Sequence, residues 1–191
     1  MTETIVGLLR HGQTDWNIDF RLQGITDIPL NETGINQART AAAAFNPGDW
    51  HFVASSPLIR ALDTAKIVAD AISVPEVAIE PLLLERSFGE AEGMTHSEWK
   101  EKFPDGLPPG GETLDELRFR ANSLLDQLLA TYRGTKVLAV SHGAMIRKIV
   151  RVVSKGQLPA AGERFENTSL TVIAHDQKGW RIESYNPKAL S

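Results

Sequence analysis

Short apolar runs alternate along the chain with longer stretches in which apolar residues recur every three or four positions. The short runs have the length and composition of strands, and the longer stretches have the spacing of helices that bury one face. This alternation predicts an α/β sandwich in which helices cover a mostly parallel sheet. No internal repeat or low-complexity linker divides the 191 residues, so we expect a single domain.

Six of the apolar runs are predicted as strands. They span residues 5–9, 52–54, 77–84, 136–140, 169–174 and 180–185. The last two flank the segment Gln177-Lys178-Gly179, which predicts a hairpin at the end of the chain. The outer strand of that hairpin would leave an unpaired edge, through which two copies could pair as a homodimer.

Capping signals mark the starts of the predicted helices. Ser56 is predicted to cap one helix, because Pro57 follows it in the position that proline favours in a first turn. Thr95 and Thr113 each stand three residues before a glutamate, which is the capping-box pattern. The five predicted helices span 31–45, 56–72, a short segment from 95, 113–132 and 144–153.

Composition excludes several kinds of function. The formal net charge is −4 with no run of basic residues, which argues against nucleic acid as a partner. No apolar run reaches the ~18 residues of a membrane span, and the first residues lack the positive segment of a secretory signal. The chain has no cysteine, which excludes disulfides and Cys-ligated zinc. We therefore expect a cytoplasmic protein without a membrane partner.

Polar residues stand at three points where a predicted strand gives way to a loop or helix. Arg10-His11 follows the first strand, Ser55 to Arg60 follow the second, and Ser141-His142 follow the fourth. In open α/β sheets, ligands bind outside the carboxyl ends of the strands. We therefore expect these three segments to meet in one crevice.

The residue types in these segments fit phosphoryl transfer, which needs a nucleophile and cations for the phosphate oxygens. His11 is the candidate nucleophile, because neighbouring arginines would keep its ring uncharged. Arg10 and Arg60 carry planar forks that match phosphate oxygens, and His142 adds a donor before a helix start. The competing reading, a metal held by His11 and His142, is disfavoured because adjacent arginines would repel a cation.

The reaction also needs an acid for the leaving oxygen. Glu85 follows the third predicted strand and is the candidate acid. It would protonate the departing alcohol and then, as a carboxylate, deprotonate the attacking water. Glu90 and Glu92 lie along the same loop and are alternatives.

Five blocks of sequence together resemble the histidine phosphatase superfamily, in its phosphoglycerate-mutase-like branch. The first block is Leu9 to Asn17, with the Arg-His-Gly tripeptide, and the others are 21–30, 55–61, 85–93 and 141–143. The resemblance covers essentially the whole chain. It implies a three-layer α/β/α fold, one domain over residues 1–191 with a short cap at about 86–112, and a ping-pong mechanism without metal or cofactor.

The resemblance also implies a role for each candidate residue. It makes His11 the residue that is phosphorylated and Glu85 the proton donor, acting on a small phosphorylated metabolite. The remaining residues form the phosphate pocket (Arg10, Arg60 and His142, with Asn17 also on phosphate) and further substrate contacts (Thr14, Gln23, Gly24 and Gly143).

The family contains both phosphatases and mutases, and the shared motif does not separate them. Family mutases carry a longer and more basic insertion after the acid. Here 27 residues separate Glu85 from Thr113, and the Pro/Gly-rich loop 104–111 has no Lys or Arg, which favours a phosphatase with an open site. Arg86 matches the mutase-like Glu-Arg pair, so a cofactor-dependent phosphoglycerate mutase is the first alternative. An inactive phosphate-binding module is the second.

Overall fold

A computed structural model describes residues 3–190. Its six strands are β1 (Thr4–Arg10), β2 (Phe52–Ser55), β3 (Val77–Ile79), β4 (Lys136–Ser141), β5 (Ser169–Asp176) and β6 (Gly179–Ala189). They form one sheet in the order β3-β2-β4-β1-β5-β6. The first four in that order are parallel, whereas β5 is antiparallel to both of its neighbours. The predicted mostly parallel sheet and the terminal hairpin are confirmed.

The helices lie on both faces of this sheet. They are α1 (Asp15–Ile18), α2 (Glu32–Ala43), α3 (Ile59–Ala71), α4 (His96–Lys102), α5 (Leu114–Thr131) and α6 (Gly143–Val153). Helices α2 and α3 pack together, and α5 and α6 pack together. None of the helices within residues 3–190 is long and apolar enough to cross a bilayer.

The sheet separates two apolar cores, which confirms the three-layer α/β/α arrangement. Val137 and Ala139 of β4 belong to the core with α5 and α6, whereas Leu138 and Val140 belong to the core with α2 and α3. Successive side chains of a strand face opposite sides, and all four of these residues are fully buried. A strand buried on both faces is a continuous apolar run, which is why its position could be predicted.

The predicted strand 77–84 is wrong beyond Ile79, where β3 ends and a 3-10 turn spans Pro81–Leu83. Proline has no N–H to donate to a ladder, and the Glu80 carboxylate accepts from the Leu82 amide at 3.0 Å. The Ser141 hydroxyl then donates to the Leu83 carbonyl at 2.7 Å. This contact ties the turn to the carboxyl end of β4.

The helix predicted from Ser56 begins only at Ile59, and its N-cap residue Leu58 makes no side-chain capping bond. The Asp27 carboxylate accepts from the Ile59 amide at 2.7 Å and takes the place of a local cap. Ser56 Oγ instead lies 2.8 Å from Nε2 of His142. Ser56 Oγ keeps a local bond from the Leu58 amide at 3.4 Å, but its shorter contact is with this distant segment.

The two predicted capping boxes are confirmed at Thr95 and Thr113. A third, which the sequence pattern did not suggest, opens α1: Thr14 caps the helix, and Asn17 replaces the usual glutamate. Helix α1 has only four residues, too short for apolar periodicity to reveal it. It lies directly after His11 and therefore shapes the loop that carries the candidate nucleophile.

Candidate active site

The carboxyl ends of β1, β2 and β4 open onto one cavity of about 200 Å³. Two of the three predicted segments line this cavity, at Arg10-His11 and at Arg60. The third meets them at His142, which is not a lining residue but has its ring centroid 5.1 Å from that of His11. The residues that line the cavity are Arg10, His11, Asn17, Arg21, Leu22, Gln23, Gly24, Arg60, Glu85, Phe88 and Ala144.

His11 has an uncharged ring with a defined free nitrogen. Only 2% of the residue is exposed, and burial, followed by the charges of Arg60 and Arg10, holds its pKa well below the usual value. Its Nδ1 lies 2.6 Å from the Gly12 carbonyl oxygen. Because a carbonyl can only accept, Nδ1 must carry the proton. Nε2 therefore keeps its lone pair and is the atom able to attack.

Two guanidinium groups lie near this ring, those of the fully buried Arg60 and the half-buried Arg10. Arg60 donates to the carbonyls of Gly24 and Thr26, both at 2.8 Å, and Arg10 donates to the carbonyl of Phe165. Within residues 3–190, neither Nε finds a hydrogen-bond partner. Burial lowers the pKa of Arg60 to about 10, so this group remains charged at neutral pH. Burial also lowers the pKa of Arg10.

His142 is fully buried and occupies the N-cap position of α6. Burial lowers its pKa well below the usual value, and the charge of Arg60 adds to this effect. Its Nε2 contacts the Ser56 hydroxyl at 2.8 Å. Its Nδ1 has no partner in the described part of the chain. The ring therefore keeps one polar atom available beside His11.

The Glu85 carboxylate lies at the N-terminus of α6. Its Oε1 accepts from the amides of Ala144 and Met145 at 3.1 Å and from that of Arg86 at 2.9 Å, and Oε2 accepts from Ala144 at 3.1 Å. A helix N-terminus attracts negative charge. These bonds hold the carboxyl group in the wall of the cavity.

The geometry also separates Glu85 from the two alternative acids. The Glu92 carboxylate is occupied by the amides of Ile25, Thr26 and Phe88, at 2.9–3.0 Å. Glu90 is exposed, and neither residue lines the cavity. Glu85 is the candidate acid whose side chain faces the nucleophile's cavity.

Three donors fix the orientation of the Asn17 side chain. Its Oδ1 accepts from the amide and hydroxyl of Thr14, at 3.1 and 3.3 Å, and from Nδ2 of Asn167 at 3.3 Å. The Nδ2 donor of Asn17 is therefore the group left to face the cavity. Thr14 is fully buried and does not line the cavity, so its hydroxyl acts on Asn17.

Gln23 and Gly24 are both in the cavity wall, whereas Gly143 lies just behind it. Gln23 is 8% exposed, and its Oε1 has no partner among residues 3–190. Gly24 has φ +52°, and a Cβ there would stand 2.0 Å from Oε1 of Glu92, so only glycine fits. A Cβ on Gly143 would lie 3.7 Å from the Arg10 guanidinium.

Sequence reasoning missed several residues of the site. The cavity is also lined by Arg21, Leu22 and Phe88. They lie within the blocks 21–30 and 85–93, but only other residues of these blocks were predicted as site residues. Asn167 donates from Nδ2 to the His11 carbonyl at 2.9 Å and has no local motif around it. Its position at the entry to β5, beside β1 in the sheet, is the signal that could have found it.

Within residues 3–190, no three or more His, Asp or Glu side chains cluster so that they could hold a metal ion. The side chains around His11 and His142 are guanidinium groups, which suit an anion.

The fold and the site define a protein of the histidine phosphatase type. The family described as Histidine phosphatase superfamily (branch 1) matches residues 6–188, and the chain belongs to this family. It is 39% identical to "Uncharacterized phosphatase PhoE" of Bacillus subtilis (strain 168), over 96% of this chain and 94% of that protein.

Other relatives carry different names. The chain is 34% identical to "Metal-independent phosphoserine phosphatase" of Arabidopsis thaliana, over 96% of this chain and 81% of the relative. It is 36% identical to "Probable phosphoglycerate mutase GpmB" of Yersinia pestis (strain Pestoides F), over 94% and 91%. The structure of a mycobacterial glucosyl-3-phosphoglycerate phosphatase superposes with a TM-score of 0.83 at 28% identity, over 96% of this chain and 99% of that one.

Proposed function

We propose that this chain is a metal-independent phosphomonoesterase that acts on a small phosphorylated metabolite through a phosphohistidine at Nε2 of His11. One observation carries the proposal. The His11 ring is uncharged, and its Nδ1 is bound to the Gly12 carbonyl. Among residues 3–190 no group binds its Nε2, which lies in the same cavity wall as Arg10 and Arg60. Such a ring is a nucleophile prepared for an anionic phosphoryl group.

In the first step, Nε2 of His11 bonds to phosphorus while the bond from phosphorus to the ester oxygen breaks. Glu85 gives its proton to the departing oxygen, so that an alcohol leaves. The Nε–H groups of Arg10 and Arg60 have no partner in the described part of the chain. These donors, with Nδ2 of Asn17, stabilise the charge on the phosphoryl oxygens.

In the second step, water attacks the phosphohistidine. The Glu85 carboxylate takes a proton from this water, the bond between nitrogen and phosphorus breaks, and inorganic phosphate leaves. His11 returns to its uncharged form and Glu85 to its acid form. The same carboxyl group serves both steps because it lies in the wall of the cavity that His11 lines.

The size of the cavity supports a small substrate. Its volume of about 200 Å³ is below the ~300–1,000 Å³ of pockets that enclose drug-sized ligands. Leu22, Phe88 and Ala144 are the apolar side chains of its wall. This space suits a phosphoryl group with a few further atoms.

Residues 86–112 form the cap in this proposal, and the chain acts as one domain. The cap is held by its own bonds: the Glu112 amide donates to the Ser87 carbonyl at 2.9 Å, and the Glu90 amide to the Pro109 carbonyl at 3.0 Å. Arg86, the mutase-like base, donates to the Glu112 carbonyl at 2.7 Å and stacks over Phe88 at 5.2 Å. Its engagement within the cap favours hydrolysis over a mutase reaction.

The proposal also includes a location and an oligomeric state: a cytoplasmic protein that forms a homodimer through the edge of β6. The cysteine-free composition supports the first, and the position of β6 at the edge of the sheet supports the second. Light scattering coupled to gel filtration tests the dimer, with an Ala189→Pro variant at the end of β6 as the weakened-edge comparison.

The activity is tested with a panel of small phosphate esters, by detecting released phosphate with and without EDTA. We expect turnover that EDTA leaves unchanged, and a base-stable, acid-labile phosphoenzyme at His11. Activity abolished by the chelator would contradict the mechanism. Phosphate affinity without turnover of any ester would favour the inactive module.

The mutase alternative, which the similarity to a probable mutase keeps open, is separated by one comparison. The protein is incubated with 3-phosphoglycerate and 2,3-bisphosphoglycerate, and isomerisation is measured against phosphate release. We expect phosphate release to be faster. Faster isomerisation would identify a mutase.

A further inference from the structure

Ser56 has a partner that its local sequence does not suggest. Both Ser56 and His142 are 0% exposed, and Ser56 Oγ lies 2.8 Å from Nε2 of His142 across 86 positions of the chain. The residue predicted as a helix cap therefore contacts the second histidine of the site. A buried contact of this length is a full hydrogen bond.

The direction of this hydrogen bond follows from the partners of the serine. Among residues 3–190, Ser56 Oγ has one other neighbour within hydrogen-bond distance, the Leu58 amide at 3.4 Å. An amide N–H can only donate, so it cannot receive the hydroxyl hydrogen. The acceptor within reach of that hydrogen is Nε2 of His142. The Ser56 hydroxyl therefore donates to Nε2.

The direction of the bond sets the tautomer of the ring. An uncharged imidazole has one N–H, and His142 is uncharged because burial and Arg60 lower its pKa. If Nε2 accepts from Ser56, the ring proton must lie on Nδ1. Nδ1 is the atom that lacks a partner in the described chain. With the opposite tautomer, a lone pair on Nδ1 would repel phosphoryl oxygens.

We propose that Ser56 is a positioning residue that holds His142 as the Nδ1–H tautomer, so that Nδ1–H donates to the phosphoryl group carried by His11. The two rings lie with centroids 5.1 Å apart, so a phosphoryl group carried by His11 is a near neighbour of the His142 ring. The proposal rests on the phosphohistidine chemistry proposed above. The tautomer itself can be measured without any turnover.

The first test is nitrogen NMR of the parent protein labelled with ¹⁵N-histidine, with the His142 signals assigned by their loss in a His142→Gln variant. We expect Nδ1 to have the shift of a protonated nitrogen and Nε2 that of an unprotonated one. In Ser56→Ala, the signals should move towards the opposite tautomer. A parent ring protonated at Nε2 overturns the proposal, whatever the activity.

The second test is a double-mutant cycle measured by kcat/KM. We expect Ser56→Ala to lose roughly tenfold, which is the usual effect of one hydrogen bond, and Ser56→Thr, which keeps the hydroxyl, to recover most of it. In the His142→Gln background, Ser56→Ala should cost nothing more, because the serine acts through the ring. A full additional tenfold loss in that background contradicts the proposal.

Ser55 provides the matched control. It is the adjacent serine, it is also 0% exposed, and its hydroxyl donates to the Ser56 carbonyl at 2.9 Å. Ser55→Ala should keep kcat/KM within about twofold and leave the His142 tautomer unchanged. If the parent is inactive but His142 is protonated at Nδ1, the phosphatase proposal fails while the tautomer assignment stands. An active parent with the opposite tautomer contradicts only the role of Ser56.

Discussion

The two ends of the central sheet hold cavities that differ in size and in chemistry. The cavity at the amino end of β1 is the larger, at about 630 Å³, and its wall includes His175 and Arg133. The cavity at the carboxyl end measures about 200 Å³ and includes His11 and Arg60. Each end thus offers a histidine and an arginine, yet the smaller cavity is the candidate active site.

The two cavities differ in how deeply their histidine and arginine side chains are buried. His11 is 2% and Arg60 0% exposed, whereas Arg133 is exposed and His175 half-buried against the ring of Trp180 at 5.0 Å. Charges act strongly where water is excluded, and a solvated arginine has little effect on its neighbours. Buried charged groups therefore distinguish the candidate active site from the larger cavity, and volume does not.

Topology places those groups at one end. Parallel strands followed by helices bring helix N-termini to the carboxyl edge of the sheet, and the N-terminus of α6 holds Glu85 there. The amino end has the β5–β6 turn and the end of α5 instead. Anion chemistry is therefore favoured at the carboxyl edge.

The largest effect on kcat/KM is expected for His11, and His175 at the opposite end of the sheet serves as its control. His11→Ala removes the nucleophile, and kcat/KM for a phosphate ester should fall roughly 10⁵-fold, as for the loss of other catalytic nucleophiles. His175→Ala at the opposite end should leave kcat/KM unchanged. The rate of phosphate release at ester concentrations well below KM measures kcat/KM for both variants. Equal losses in the two variants would remove the distinction between the cavities.

The second largest effect on activity is expected for the candidate acid, Glu85. Glu85→Gln cannot donate a proton, so kcat/KM, which reports formation of the phosphoenzyme, should fall roughly 10²–10⁴-fold with an alkyl phosphate. The fall should be much smaller with p-nitrophenyl phosphate, because that leaving group needs no proton. Glu90→Gln, on the same loop, is the control and should behave like the parent. An equal loss with both esters would assign Glu85 a purely structural role.

A smaller effect is expected for the arginines. Arg60→Lys keeps the charge but loses the fork that holds the Gly24 and Thr26 carbonyls, so kcat/KM should fall roughly 10²-fold. Inhibition by inorganic phosphate should weaken in parallel. Arg133→Lys at the amino end should change neither quantity. A tolerated Arg60→Lys would show that charge alone is sufficient.

The smallest effect is on stability, and it depends on pH. The pKa of His11 is lowered in the folded protein. Below pH ~6.5, the ordinary pKa of histidine, this residue is therefore protonated in the unfolded chain but not in the folded one. Stability therefore decreases as pH falls, by up to about 1.4 kcal/mol per pH unit for this group. Urea unfolding of His11→Gln between pH 7 and 5.5 should show a shallower decrease than the parent. Identical slopes would indicate that the folded site accepts the proton.

The elements and the candidate chemistry could be read from local sequence because their causes act within a few residues. The apolar run of β4 and the capping box at Thr113 are decided by neighbours no more than four positions away. Arg10-His11 and Ser141-His142 then follow from where the strands end. Parallel strands bring such ends together in most α/β sheets.

Other features depended on contacts between distant segments, which no local pattern encodes. Glu85 faces the cavity and Glu92 does not, because Glu92 is bound by the amides of residues 25 and 26. Ser56 binds His142, and Asn167 binds the loop of His11. Sequence supplied the reactive side chains and the strands that carry them, since periodicity and capping are short-range effects. The orientations of these side chains depend on the tertiary structure, because they are fixed by contacts between segments up to 156 positions apart.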